Sequence, residues 1–199
     1  MAGRELLRPG RRWLLLKSAL AVCGLAAATP VLLARMRREL LQDGRLSGPT
    51  VTAMYGAYTL HGLAVAGSAW RRSVPLPPAA AVVGLPLMAA GSALVVAGMS
   101  RFVSAGQVNG TQLGMLATGG VYRLSRNPQY AGYVLALSGL GLARRSGAVV
   151  ALAAGAGAVF AWWVPVEESA LRRAFGQPYE HYLARRPRWL GRPRRGGVR

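Results

Sequence analysis

Apolar residues in this chain come in blocks. Residues 13–34, 51–70 and 77–99 form three long runs that carry almost no charge, the third being the least interrupted. A glycine-rich polar segment, 100–129, follows and is too hydrophilic to cross a bilayer. A fourth run, 130–143, and a fifth that extends to residue 166 flank Arg144-Arg145-Ser146-Gly147. At about 1.5 Å per residue, some 20 apolar residues cross a hydrocarbon layer of roughly 30 Å. The fourth run reaches only about 21 Å by that measure, so it is expected to be tilted, short or partly re-entrant. The fourth and fifth runs predict a tight helical hairpin. The fold class is therefore all-α, a polytopic integral membrane bundle of about five spans. Residues 1–99 hold three of them, and residues 100–199 hold the hairpin and a polar tail.

Composition sharpens this picture through its charge. The 199 residues are 52% hydrophobic and carry 25 basic side chains, all but one of them arginine, against six acids. A soluble nucleic-acid binder spreads basic residues along folded faces with aromatics between them. Here they cluster between apolar runs, as in membrane-protein loops, and this points to a lipid bilayer as partner and away from nucleic acid. With the C-terminus cytoplasmic, sixteen arginines fall inside and eight outside, the sense the positive-inside rule favours. The first run, with Arg11-Arg12 before it and Ala26-Ala27-Ala28 within it, can span, lie on the membrane or be a cleaved signal. Cys23 has no internal disulfide partner and no His/Cys cluster beside it, so no metal site is expected. The small-residue run 153–158 predicts close helix packing, and no fixed-period repeat is evident. His61, in mid-span, is either a functional intramembrane group or a neutral histidine bonded to a neighbouring helix.

Two polar constellations stand out. In Arg126-Asn127-Pro128-Gln129-Tyr130, Asn127 can cap a helix that Pro128 starts, while Arg123, Arg126 and Tyr130 can anchor at the interface. At the far end of the hairpin, Glu167-Glu168 holds two of the six acids. Neighbours on a helix point about 100° apart, so one can face the bundle and the other water, or either can pair with Arg172 or Arg173. Gly176 can end that helix and Pro178 start another, on which Tyr179 and Tyr182 share a face. The hairpin returns both constellations to one membrane face. Arginine for a carboxylate, glutamate for an ammonium or ribose hydroxyls, and backbone amides for an adenine edge suit a charged, hydroxylated ligand. No nucleophile elbow, metal-spaced histidine pair, phosphate loop or nicotinamide fingerprint is present.

Taken in order, Gly120-Val121-Tyr122, Arg126-Asn127-Pro128-x-Tyr130-x-Gly132, Glu167-Glu168-x-x-Leu171, Phe175-Gly176-x-x-Tyr179-x-x-Tyr182 and Pro187-Arg188-Trp189-Leu190 resemble the isoprenylcysteine carboxyl methyltransferase and phospholipid methyltransferase superfamily. The resemblance covers residues 119–190. It departs from the family at Asn127, where histidine is frequent and asparagine is associated with bacterial relatives, and at Trp163, where an arginine usually stands. It implies an S-adenosylmethionine-dependent enzyme in a bacterial cytoplasmic membrane, with residues 100–199 as the catalytic region and its catalytic face and C-terminus cytoplasmic. It further implies catalytic roles for Arg126, Glu167 and Glu168, and a cofactor pocket of Gly120, Tyr122, Arg126, Asn127, Tyr130, Glu168, Tyr179 and Tyr182. The acceptor it implies is lipophilic, an isoprenylcysteine carboxylate or alternatively a phospholipid amine. A membrane reductase or a non-catalytic membrane protein of similar architecture is the competing reading.

Overall fold

The computed structural model describes residues 27–72, 74–112 and 114–191. Cys23, most of the first apolar run and residues 192–199 lie outside them. The described chain is helical, and its only strand-like feature is an isolated bridge between Pro75 and Ser146. Helix α1 occupies 27–42, followed by α2 (Gly48–Arg71), α3 (Ala80–Met99) and the short α4 (Ala105–Asn109). A 3-10 turn at Gly120–Arg123 precedes α5 (Pro128–Ala143), α6 (Gly147–Phe175) and α7 (Gln177–Arg185).

The breaks follow from local chemistry. Proline sits in the first turn of α2, α5 and α7, where its missing N–H costs nothing. Gly176, at φ +54°, separates α6 from α7 as its position predicts. Helix α6 runs well past residue 166, so Glu167 and Glu168 are helical rather than at a frayed lip. By length and composition α3 and α6 can each cross a membrane. Helix α5 has 16 residues, which is about 24 Å and short of a full hydrocarbon layer.

The helices run alternately up and down. At one end the α1–α2 turn meets the α4 loop through Leu46 N–H and the Gly110 carbonyl, and Arg126 meets Glu168. At the other end the α2–α3 and α5–α6 loops are tied together. Leu76 N–H donates to the Arg145 carbonyl, Arg145 Nε returns a bond to the Leu76 carbonyl, and Ser146 Oγ donates to the Ser68 carbonyl. Most described arginines therefore share the Arg126 face, while Arg71, Arg72, Arg144 and Arg145 lie on the opposite one.

The tightest seam is α3 against α5. Gly84, Gly91 and Gly98 recur every seven residues on α3, and Gly132 and Gly139 do the same on α5. A Cβ on Gly132 would sit 2.7 Å from the Gly91 carbonyl oxygen and 2.8 Å from Val95 N, so the two backbones are nearly in contact. The small-residue run 153–158 meets the packing expectation only in part: a Cβ on Gly157 would be in ordinary contact with Val134 at 3.6 Å, whereas one on Gly155 would meet nothing within 4 Å. Open space therefore lies at Gly155, while Ala153, fully buried, and Gly157 do close helix–helix contacts.

Candidate functional site

Glu168 is the electrostatic centre. Its side chain is 2% exposed and is gripped by two arginines from opposite ends of the region. Arg126 Nη2 lies 3.0 Å from Oε1. Arg188 makes the bidentate approach, Nε to Oε1 at 3.1 Å and Nη2 to Oε2 at 2.7 Å. Planar guanidinium against carboxylate is the strongest such geometry. Burial pulls the Arg126 guanidinium below its usual value, and the Glu168 charge pulls it partly back. Arg188 moves up, chiefly through its hydrogen bonds to Glu168. Arg126 keeps a buried Nε with no hydrogen-bond partner, a free donor inside the site.

Arg188 reaches Glu168 because the segment after α7 is strapped across the start of α5. Arg126 N–H donates to the Pro187 carbonyl, and Gly191 N–H donates to the Leu124 carbonyl. Ser125 Oγ and Asn127 Nδ2 both donate to the Arg188 carbonyl, at 3.2 and 3.1 Å. Asn127 thus stands at the cap position of α5, but its side chain makes no cap bond. It fastens the strap instead, a correction to its reading as a helix cap.

Glu167 turns to a different neighbourhood. It accepts a 2.7 Å hydrogen bond from the Tyr130 hydroxyl, and the Trp163 indole one turn earlier is its other hydrogen-bonding neighbour. Tyr130 is therefore not an interfacial anchor: its ring stacks on Phe160 with centroids 4.5 Å apart. Neither glutamate pairs with Arg172 or Arg173, and neither simply faces water. Arg172 bonds Glu180 at 3.1 Å. His61 packs against Tyr133 at 6.1 Å with a buried Nε2 that has no partner, so no bond from that nitrogen to a neighbouring helix forms.

Tyr122, Tyr179 and Tyr182 form a buried cluster at the α7 end. Tyr182 OH donates to the Tyr122 carbonyl at 2.8 Å, and Tyr122 OH donates to Gln129 at 3.2 Å. Burial raises the phenols of all three. Gly120 adopts φ +60° beside the Arg101 side chain and shapes the turn that places Tyr122.

A cavity of about 990 Å³ joins these parts. At one end it is lined by Arg126, Asn127, Glu168 and the tyrosine cluster, and in its middle by Glu167, Tyr130 and Phe160. From there it runs between α2 and α6 past Gly155 to Ala151, about 25 Å along α6 from Glu168. Of the residues expected to act in catalysis or to form the cofactor pocket, all but Gly120 line it. Arg188, Tyr58 and Phe160 were not among them. Arg188 had a signal, its place in the Pro187-Arg188-Trp189-Leu190 motif, whereas Tyr58 had none beyond its place on an apolar helix. Among the described residues no His, Cys, Asp or Glu group could hold a metal ion.

No curated protein and no solved structure matches the chain. The model of one family does, described as phospholipid methyltransferase, over residues 79–178. That stretch runs from the start of α3 through α5 and the whole of α6 into α7, and it holds Arg126, Asn127, Tyr130 and both glutamates. Since the match covers half of the sequence and the site within it, the chain belongs to the phospholipid methyltransferase family.

Proposed function

We propose that the protein transfers a methyl group from S-adenosylmethionine to a lipophilic acceptor that enters from the bilayer. The observation that carries this reading is the single cavity joining a charged, polar end to a groove running deep between α2 and α6. The polar end suits the cofactor. Arg126, with its unpartnered Nε, would hold the methionyl carboxylate, and Glu168 the amino or ribose groups. Asn127, Tyr130 and the tyrosine cluster would shape the pocket beside them. When bound, S-adenosylmethionine supplies a methyl group on a cationic sulfur. The chain's own part is to align the acceptor with that methyl and to exclude water, the role that positioning and desolvation play in group transfer.

The family supports methyl transfer over the reductase and non-catalytic alternatives. Five spans, residues 100–199 as catalytic region and a cytoplasmic C-terminus in a bacterial inner membrane belong to the same reading. The distribution of arginines between the two faces supports the orientation. Acceptors of two kinds fit a lipid-facing groove, an isoprenylcysteine carboxylate and a phospholipid amine. The test is incubation of purified protein with methyl-labelled S-adenosylmethionine and total membrane lipid, followed by extraction. Label in a lipid fraction, lost with Arg126→Ala, is the expected result; no transfer to any lipid overturns it.

A further inference from the structure

Three arginines outside the cavity converge on one turn. Arg101 lies just past the end of α3, and its guanidinium crosses Gly119-Gly120. A Cβ on Gly119 would sit 2.6 Å from Arg101 Nη2, so glycine makes room for the arginine there. Arg123 closes the same turn, and Arg186, just past α7, donates to the Arg123 carbonyl at 3.4 Å. Among the described residues no carboxylate lies within salt-bridge distance of these three, since Glu39, Glu168 and Glu180 are held by other arginines. Like charges gathered without a counter-charge repel one another and favour an anion between them. Beside them lies an apolar patch. Leu124, Trp189 and Leu190 are 51%, 37% and 47% exposed, and the Gly191 N–H bond to the Leu124 carbonyl holds the strap against Leu124. The α3–α5 seam sets the height of this surface. A Cβ on Gly98 would meet Gln129 N at 3.3 Å, so the end of α3 and the start of α5 coincide. Where two such helices leave the hydrocarbon, lipid phosphates lie, tryptophan partitions and arginine reaches phosphate. The positive-inside rule asks only for cations on this face. It requires neither their convergence on one turn nor exposed leucine and tryptophan next to them.

We propose that Arg101, Arg123 and Arg186, with Leu124, Trp189 and Leu190, form a binding site for the headgroup of an anionic phospholipid. The guanidiniums take the phosphate oxygens, and the apolar trio packs at the boundary between headgroup and acyl chains. A free phosphate would use the arginines and leave the patch bare, which favours the lipid. None of the six residues lines the cavity. The bound lipid is therefore separate from any methyl acceptor, and the site does not depend on the methyltransferase reading.

The test is native mass spectrometry of the full-length protein in neutral detergent, titrated with dioleoylphosphatidylglycerol or with dioleoylphosphatidylcholine. The first phosphatidylglycerol should bind at least about tenfold more tightly than the first phosphatidylcholine. Arg101→Gln, Arg123→Gln and Arg186→Gln should each weaken phosphatidylglycerol by about fivefold, and the three together should erase the preference. The corresponding triple lysine variant, which keeps the charges, should hold it within about threefold. Arg71→Gln with Arg144→Gln, on the opposite face, should leave it unchanged. Melting is measured on every variant, and the single substitutions decide if the triple glutamine protein does not fold. Equal binding of the two lipids by wild type overturns the proposal, as does a preference that survives the glutamine substitutions. Displacement of phosphatidylglycerol by inorganic phosphate would make this a free-anion site and overturn it too.

Discussion

Replacing Glu168 by glutamine removes one negative charge that two guanidiniums share. The environment sets the size of the effect. Glu168 is 2% exposed and Arg126 is 11% exposed, so neither can recover hydration when its partner goes. Breaking a buried ion pair by removing one member costs about 3 to 5 kcal/mol, because the surviving charge is left uncompensated. Glu168→Gln leaves Arg126 in that state and sets it beside the like charge of Arg188, so it belongs at the upper end of that range. Arg188 is 42% exposed and water screens it. Its loss also leaves Glu168 paired with Arg126, so Arg188→Ala should cost only about 1 kcal/mol, as partly exposed pairs do. The assay is equilibrium unfolding in mixed micelles, read by tryptophan fluorescence in the absence of ligand. The order Glu168→Gln, then Arg126→Ala, then Arg188→Ala is expected. A Glu168→Gln protein as stable as wild type, or one more stable than Arg188→Ala, refutes the argument.

Three further outcomes follow from the packing and charges. Gly139→Val should destabilise the fold by about 3 kcal/mol or more in the same assay, the upper end of overpacking costs, because a Cβ there would press into the Met88 backbone and sit 2.7 Å from the Gly84 carbonyl oxygen. Gly155→Leu, at a position where an added Cβ would meet nothing within 4 Å, should leave stability unchanged and lower lipid methylation without altering S-adenosylmethionine affinity. The third outcome concerns pH. Desolvation raises the Glu39 carboxyl, but the Ser47 N–H, Thr50, Arg35 and the Ser47 hydroxyl together outweigh it and hold the group at about 2, below its ordinary 4.5. With the folded value depressed, the stability it contributes is present above pH 4.5 and is lost as pH falls toward 2. Unfolding measured between pH 6 and 2 should show that loss in wild type and a smaller one in Glu39→Gln.

The site was legible where its parts lie in local sequence order. Arg126-Asn127-Pro128 sits where a polar segment enters an apolar helix, and Glu167-Glu168 spends two of six acids on adjacent positions. A hairpin between them is enough to place both on one face. What each glutamate pairs with was not legible, because Arg188 reaches Glu168 through a strap closed by bonds from Ser125, Arg126 and Asn127 and by one from Gly191 to the Leu124 carbonyl. Asn127 was assigned to its nearest backbone, as cap statistics direct, and the tail outcompeted it. The α3–α5 seam was written openly in glycines seven apart, but the repeat is split between two helices and so shows no single period along the chain. The alanine-glycine run of α6 looked more like a packing face than those glycines did. Composition alone does not distinguish a small residue that admits a neighbour from one that leaves a groove. The contribution of α2 depends on which face of that helix turns inward, and a weakly amphipathic helix does not declare it.

The central claim is that Arg126 and Glu168 hold S-adenosylmethionine at the polar end of the cavity, and calorimetric titration of the cofactor into the purified protein in lipid nanodiscs tests it most directly. The account predicts saturable one-to-one binding by wild type, abolished by Arg126→Ala and by Glu168→Ala and retained by Tyr58→Phe. Absence of binding in wild type, or binding that survives both substitutions, would contradict it.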